Sequence, residues 1–243
     1  METLEQQARN FADALTTAVH AVAPSCEPFR VVTMTDPAGR FFVRQEPDTG
    51  VPLTVEGTPL LTLKVRYSCT WDTSEHFLAI EKSHVQVYAG SQAKGEPLFR
   101  YDYVRRPGRD HPGAHLQVHA HRDGIAHVMS RAGRTTPRAR RRADEDAAPA
   151  MRELHFPVGG PRFRPCLEDV VEMLVCELGI DCPEGAREAL RDSRETWRRQ
   201  QLRSAVRDAP RDAAEVLAVL GYTVTPPPSG GHPVDNLDRL RDH

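Results

Sequence analysis

The chain has 243 residues, enough to bury a real core as one large domain or two small ones. A hydrophobic share of 39% and a mean hydropathy of −0.52 are low for a globular protein and leave part of the chain for loop or tail. The formal charge of −2 excludes a global field that draws the chain to nucleic acid, and no apolar run approaches about 18 residues.

No charged-then-apolar leader opens the sequence, so neither secretion nor a membrane partner is expected, and the location is read as cytoplasmic. The five cysteines (Cys26, Cys69, Cys166, Cys176, Cys182) are odd in number and form no Cys-x-x-Cys pair, which fits a reducing compartment. Of the 32 basic residues only Lys64, Lys82 and Lys94 are lysines, a bias that GC-rich codons produce. Arginine richness is therefore discounted as a functional signal, and a bacterial source is inferred.

Thr3 to Val22 reads as an amphipathic helix, with Leu4, Ala8, Phe11, Leu15, Val19 and Val22 at helical spacing, a capping box of Thr3 with Gln6, and Pro24 as its stop. Phe29 to Met34 and Arg40 to Arg44 read as a hairpin. Glu46 to Pro59, rich in proline, glycine and threonine, reads as a loop. From Leu61 to Trp71 alternation marks a half-buried strand with one wet face. His76 to Tyr88 is its partner, and its apolar phase slips near Lys82-Ser83, which predicts a β-bulge there. Leu98 to Arg105 follows, then a histidine-rich strand.

Arg131 to Asp146 has no apolar periodicity and reads as a mobile arginine-rich loop spanning 131–148. Met151 to Phe156 resumes as a strand. The C-terminal third is helical, with a stripe of Leu167, Val170, Val171, Leu174, Val175 and Leu178 capped by Gly179. Further helices carry Ala186, Leu190, Trp197, Leu202 and Val206, and Ala213 to Leu220. Residues 226–243 read as a disordered tail. The fold class is α+β: an antiparallel β-meander with an N-terminal helix and a C-terminal helical layer, one domain over residues 1–225.

Four of the eleven histidines fall between positions 111 and 121. On a strand, His115, Gln117, His119 and His121 share one face, and Leu116, Val118 and Ala120 the other. Three readings of that row stand side by side. Two imidazoles about 7 Å apart can flank a scissile phosphate, one as base and one as acid. A ribonucleotide supplies its own nucleophile in the 2′-hydroxyl. His119 and His121 are the acid–base pair in this reading, with His115 beside them and Arg100 as the phosphate ligand. Gln117, Asp102 and His155 line the substrate, and no cofactor is needed. Alternatively His119-x-His121 holds a metal, with a third ligand from His115, His111, His155 or Asp102. Or the row is the wet face of an open sheet, an interface for a protein partner or a second copy.

Arg106-x4-His111 fits the pattern of helical RNA-cutting HEPN domains, but Pro107 and Gly108 break the helix that pattern needs. Gln117-Val-His-Ala-His-Arg-Asp resembles the strand of histidine-triad nucleotide hydrolases. Gln117 replaces the first histidine there and Arg122-Asp123 the closing apolar pair. The likeness implies the nucleophile's role for His119. The layout of Arg100-Tyr101-Asp102-Tyr103, then the histidine strand, then His155-Phe156-Pro157, then a helix opening at Leu167-Glu168-Asp169-Val170 resembles small bacterial toxins of the TumE type. That resemblance implies a toxin–antitoxin or phage-defence setting, an antitoxin-like protein partner and RNA as a substrate. The expected function is a histidine-dependent phosphodiester hydrolase acting on RNA or nucleotides. A non-catalytic interaction or self-assembling module and a histidine-ligated metal protein are the alternatives.

Overall fold

Helix α1 (Leu4–His20) starts where the capping signal places it. Thr3 Oγ1 accepts the Gln6 amide at 3.2 Å, and the helix closes at Ala21, three residues before Pro24. Its stripe of Leu4, Ala8, Ala12, Leu15 and Val19 is buried. The computed structural model describes residues 2–32, 39–107, 112–120, 151–153, 156–158, 160–228 and 233–241. The arginine-rich loop of 131–148, His111, His121 and His155 lie outside the described residues.

Among the described residues eight strands follow: β1 (Phe29–Val32), β2 (Phe41–Gln45), β3 (Val51–Val55), β4 (Thr58–Trp71), β5 (Leu78–Ala89), β6 (Phe99–Val104), β7 (Ala114–Val118) and the two-residue β8 (Phe156–Pro157). They form one sheet in the order β1-β2-β4-β5-β6-β7-β8, every neighbouring pair antiparallel. The expected meander is present.

The stretch expected as a loop at 46–59 is corrected. It holds β3, which pairs with the first half of β4 while β2 pairs with the second half. Val51, Leu53 and Val55 alternate with Pro52 and Thr54, a pattern that Pro52 obscures. Proline is tolerated because β3 has a partner on one side only. Glu56 and Gly57, both at positive φ, make the tight turn into β4.

The bulge lies where the phase slip predicts it. Ser68 pairs with Lys82 and Cys69 with Ile80, so Glu81 is the extra residue. Leu78 and Ile80 before it, and Val85 and Val87 after it, thereby reach the same face. On that face Val43, Leu63, Val65, Cys69, Val85 and Val87 pack against α1 and helix α3 (Leu167–Leu178). Phe11 meets Tyr67 edge-on at 4.9 Å.

A four-residue helix α2 (Gly160–Phe163) precedes α3, and Gly179, at φ 64°, caps α3 as expected. Helix α4 (Ala186–Asp208) is continuous for 23 residues, and Pro210 opens α5 (Pro210–Val219) at its first position. Arg194 ties α4 to α3 through Asp169 at 2.8 Å and through Glu172, and Ser193 bonds the buried Glu168 at 2.5 Å. Within the stretch expected as a disordered tail, residues Leu237–Arg241 form a short helix α6. The Asn236 amide reaches the Asp208 carbonyl at 2.7 Å, and Arg239 Nη1 reaches the Arg105 carbonyl at 2.7 Å. Those bonds give a polar segment an anchor that its own composition does not announce.

Leu174 is fully buried between α3 and the sheet. Leu174→Ala is expected to lower stability by about 3 kcal/mol, the loss of transfer energy plus an unfilled cavity. Urea unfolding followed by far-UV circular dichroism measures it.

Candidate functional site

Alternation assigns the opposite sheet face to the even-numbered residues of β4 and β6, to β5 beyond its bulge, and to the odd-numbered residues of β7. Register then sets who meets whom. One cross-strand row runs Arg30–Arg44–Arg66–His84–Asp102–His115, each residue paired directly with the next on the neighbouring strand. The adjoining row runs Lys64–Gln86–Arg100–Gln117.

Asp102 is the centre of this face. Its side chain is 7% exposed, and three cationic or ionisable groups reach it. His84 Nδ1 lies 2.8 Å from Oδ1, Arg100 Nε 2.9 Å from Oδ2, and His115 Nε2 3.7 Å from Oδ2. Burial pushes the Asp102 pKa up and is the largest single effect. The hydrogen bond and charge of His84, with Arg100 and His115, together outweigh it and hold the carboxyl below its ordinary value. Asp102 is thus ionised at neutral pH and accepts only, so His84 Nδ1 is the donor. In a neutral imidazole that leaves the lone pair on Nε2, at the far side of a ring whose side chain is 40% exposed. Among the described residues nothing bonds His84 Nε2.

Arg100 is held in turn. Its Nε donates to Gln117 Oε1 at 2.5 Å, and Gln117 Nε2 donates to the Arg152 carbonyl at 2.8 Å. The amide orientation of Gln117 follows from that pair of bonds. With Nε fixed, the two terminal amino groups of Arg100 have no hydrogen-bond partner among the described residues, and a third of the side chain is exposed.

The expected residues therefore separate. Asp102, Arg100, Gln117 and His115 come together. His115 is sealed, however: it is 3% exposed, with Nδ1 at 3.0 Å from the Pro112 carbonyl and Nε2 facing Asp102. Both of its ring nitrogens thus face protein atoms. His119 lies past the end of β7, where its amide continues the ladder to the Leu98 carbonyl at 2.9 Å. Its ring sits 3.8 Å from Glu96, and both ring nitrogens are buried with no hydrogen-bond partner among the described residues. His121 and His155 are outside the described residues, so the His119–His121 pair and the metal ligand sets built on it are too. Among the described residues no group of three or more His, Cys, Asp or Glu is arranged to hold a metal.

The residue that sequence reading missed is His84. Its signal was present: Val85 and Val87 on one parity put His84 on the other, opposite the wet face of β4. What pairs it with Asp102 is the β5–β6 register. Cys26 and Cys69 are poor nucleophiles, since burial pushes Cys26 up to about 11 and Cys69 up to about 12.

Compared with protein-family models, curated proteins and solved structures, the chain matches none. Among the described residues no helix is long and apolar enough to cross a membrane. What the site does is read from its own chemistry.

Burial, the largest effect, holds the pKa of His119 below its ordinary 6.5. Arg100 and Arg152 push the same way, against Glu96. The unfolded chain therefore binds this proton first as pH falls, and folded-state stability is lost as pH drops through about 6.5. His119→Gln is expected to flatten the fall in stability between about pH 7.5 and pH 5. Urea midpoints across that range measure it; an unchanged slope refutes the assignment.

Proposed function

We propose that the open sheet face is a general acid–base site for a phosphodiester, with His84 as base, Asp102 as the residue that orients it and Arg100 as the phosphate ligand. One observation carries this reading: a half-exposed imidazole held through Nδ1 by a buried, ionised carboxylate, beside a guanidinium whose outer amino groups are uncommitted. RNA is the substrate this chemistry suits. The 2′-hydroxyl gives its proton to His84 Nε2 as the O2′–P bond forms. The P–O5′ bond breaks, and the leaving oxygen takes a proton from water. Arg100 stabilises the charge that gathers on the phosphoryl oxygens. The TumE-type resemblance supports a toxin or defence setting for such an activity.

This reading gives the base to His84 where the sequence reading gave the acid–base pair to His119 and His121, and it makes Gln117 and His115 positioning residues. General-base catalysis contributes about a hundredfold or more, so His84→Ala is expected to reduce cleavage of single-stranded RNA by at least that factor. Asp102→Asn is expected to do nearly as much, because a neutral amide no longer fixes the Nδ1–H tautomer. Toxicity on expression should fall in parallel. Cleavage by His84→Ala at the wild-type rate removes the proposal.

A second reading, a self-assembling module, is favoured by a separate observation. Helix α5 buries none of its residues, and Val216, Leu217, Val219, Leu220 and Tyr222 are exposed at its end. A second copy is the occupant this reading names. A native mass that stays monomeric as concentration rises removes it; a dimer lost in Val219→Asp supports it.

A further inference from the structure

The charged row does not stop at His84. We infer that Arg66, Arg44 and Arg30, with Lys64 beside them, form a track for the backbone of a single-stranded polynucleotide whose scissile phosphate lies at His84 and Arg100. This rests on the phosphodiester reading above and extends it from one phosphate to several.

The argument begins with register. Arg66 is the direct cross-strand partner of His84, Arg44 of Arg66, and Arg30 of Arg44. Strands lie about 4.8 Å apart, so the three guanidinium-bearing positions extend about 14 Å beyond His84 on the same face. A mononucleotide needs one phosphate position; this row offers consecutive ones.

The electrostatics point the same way. Like charges directly opposite one another across strands are destabilising, and here three arginines stand in line. Their counter-charges come from the loop after β2 rather than from the sheet. Asp48 pairs with Arg66, lies 3.4 Å from Lys64 Nζ and 3.8 Å from Arg44 Nη1, and Glu46 meets Arg44 at 3.2 Å. Four cations against two carboxylates leave a net charge of about +2 on this part of the face. Arg44 Nε is buried and has no hydrogen-bond partner among the described residues, a donor lacking an acceptor. Burial first, and then the charge of Arg44, lower the pKa of Lys64.

The plainer account of these residues is a clip that fastens the 46–50 loop to the sheet. The two accounts predict opposite outcomes for Asp48. If Asp48 only clips, Asp48→Asn loosens the loop and brings no ligand. If it stands where a phosphate would, Asp48→Asn removes a competitor and tightens polyanion binding.

The probe is a fluorescent single-stranded oligothymidylate of about 12 nucleotides, followed by anisotropy across a salt series. It has no 2′-hydroxyl and stays intact whether or not His84 is a catalyst, so this test and the cleavage test fail independently. Wild-type protein is expected to bind with affinity falling steeply from about 50 to 200 mM salt. In Arg44→Ala/Arg66→Ala, binding should weaken about tenfold or more at the lower salt, with a salt slope shallower by about 1.4, two phosphates' worth. Asp48→Asn should bind several-fold more tightly. Absent wild-type binding, or a double variant that binds as wild type, overturns the inference. Should the double variant fail to fold by circular dichroism, Asp48→Asn decides alone: equal or weaker binding overturns the inference.

Discussion

The pairing of β4 with β5, with Glu81 as its one surplus residue, is the constraint on which the rest depends. Without that residue a single strand cannot bring Leu78, Ile80, Val85 and Val87 to the same face, because side chains alternate. With it, Val85 and Val87 are buried, and Leu78 and Ile80 partly buried, on the face that α1 and α3 cover. The same half-step turns His84 away from the helices and sets it opposite Arg66 on one side and Asp102 on the other. A packing requirement of the core thus places an imidazole beside a carboxylate.

Asp102 fixes that placement. A buried carboxylate is unfavourable unless charges and hydrogen bonds surround it, and here Arg100, His84 and His115 do so. Each partner is fixed by the demand of the carboxylate. The arrangement leaves His84 Nε2 and the outer nitrogens of Arg100 as the groups that face outward. Of the neighbouring histidines, His115 has spent both nitrogens inward and His119 has been drawn off towards Glu96. Of the described histidines on the sheet, His115 is buried against Asp102 and His84 keeps a ring that is 40% exposed.

Most of the architecture was legible without coordinates. The capping pair Thr3 and Gln6, the alternation of 61–71, the phase slip near Lys82 and the stripe from Leu167 to Leu178 each express a local rule, and each element formed where its rule put it. The strand β3 was hidden because Pro52 and the surrounding glycines speak for a loop, and only pairing with β4 gives Val51 and Leu53 a core to enter. The anchoring of Leu237–Arg241 was hidden for a similar reason: its partners, Asp208 and the Arg105 carbonyl, are far away in sequence.

Periodicity, caps and turn residues are properties of a few consecutive positions, so the chain by itself determined its class, most of its elements and which face of those is wet. Partnership across strands is different. Whether His84 meets Asp102, or Arg44 meets Arg66, depends on turn lengths and on one bulged residue, since a slip of one position moves every side chain to the other face. Only the assembled sheet decided that His84 on β5 and Asp102 on β6 stand side by side with Arg100.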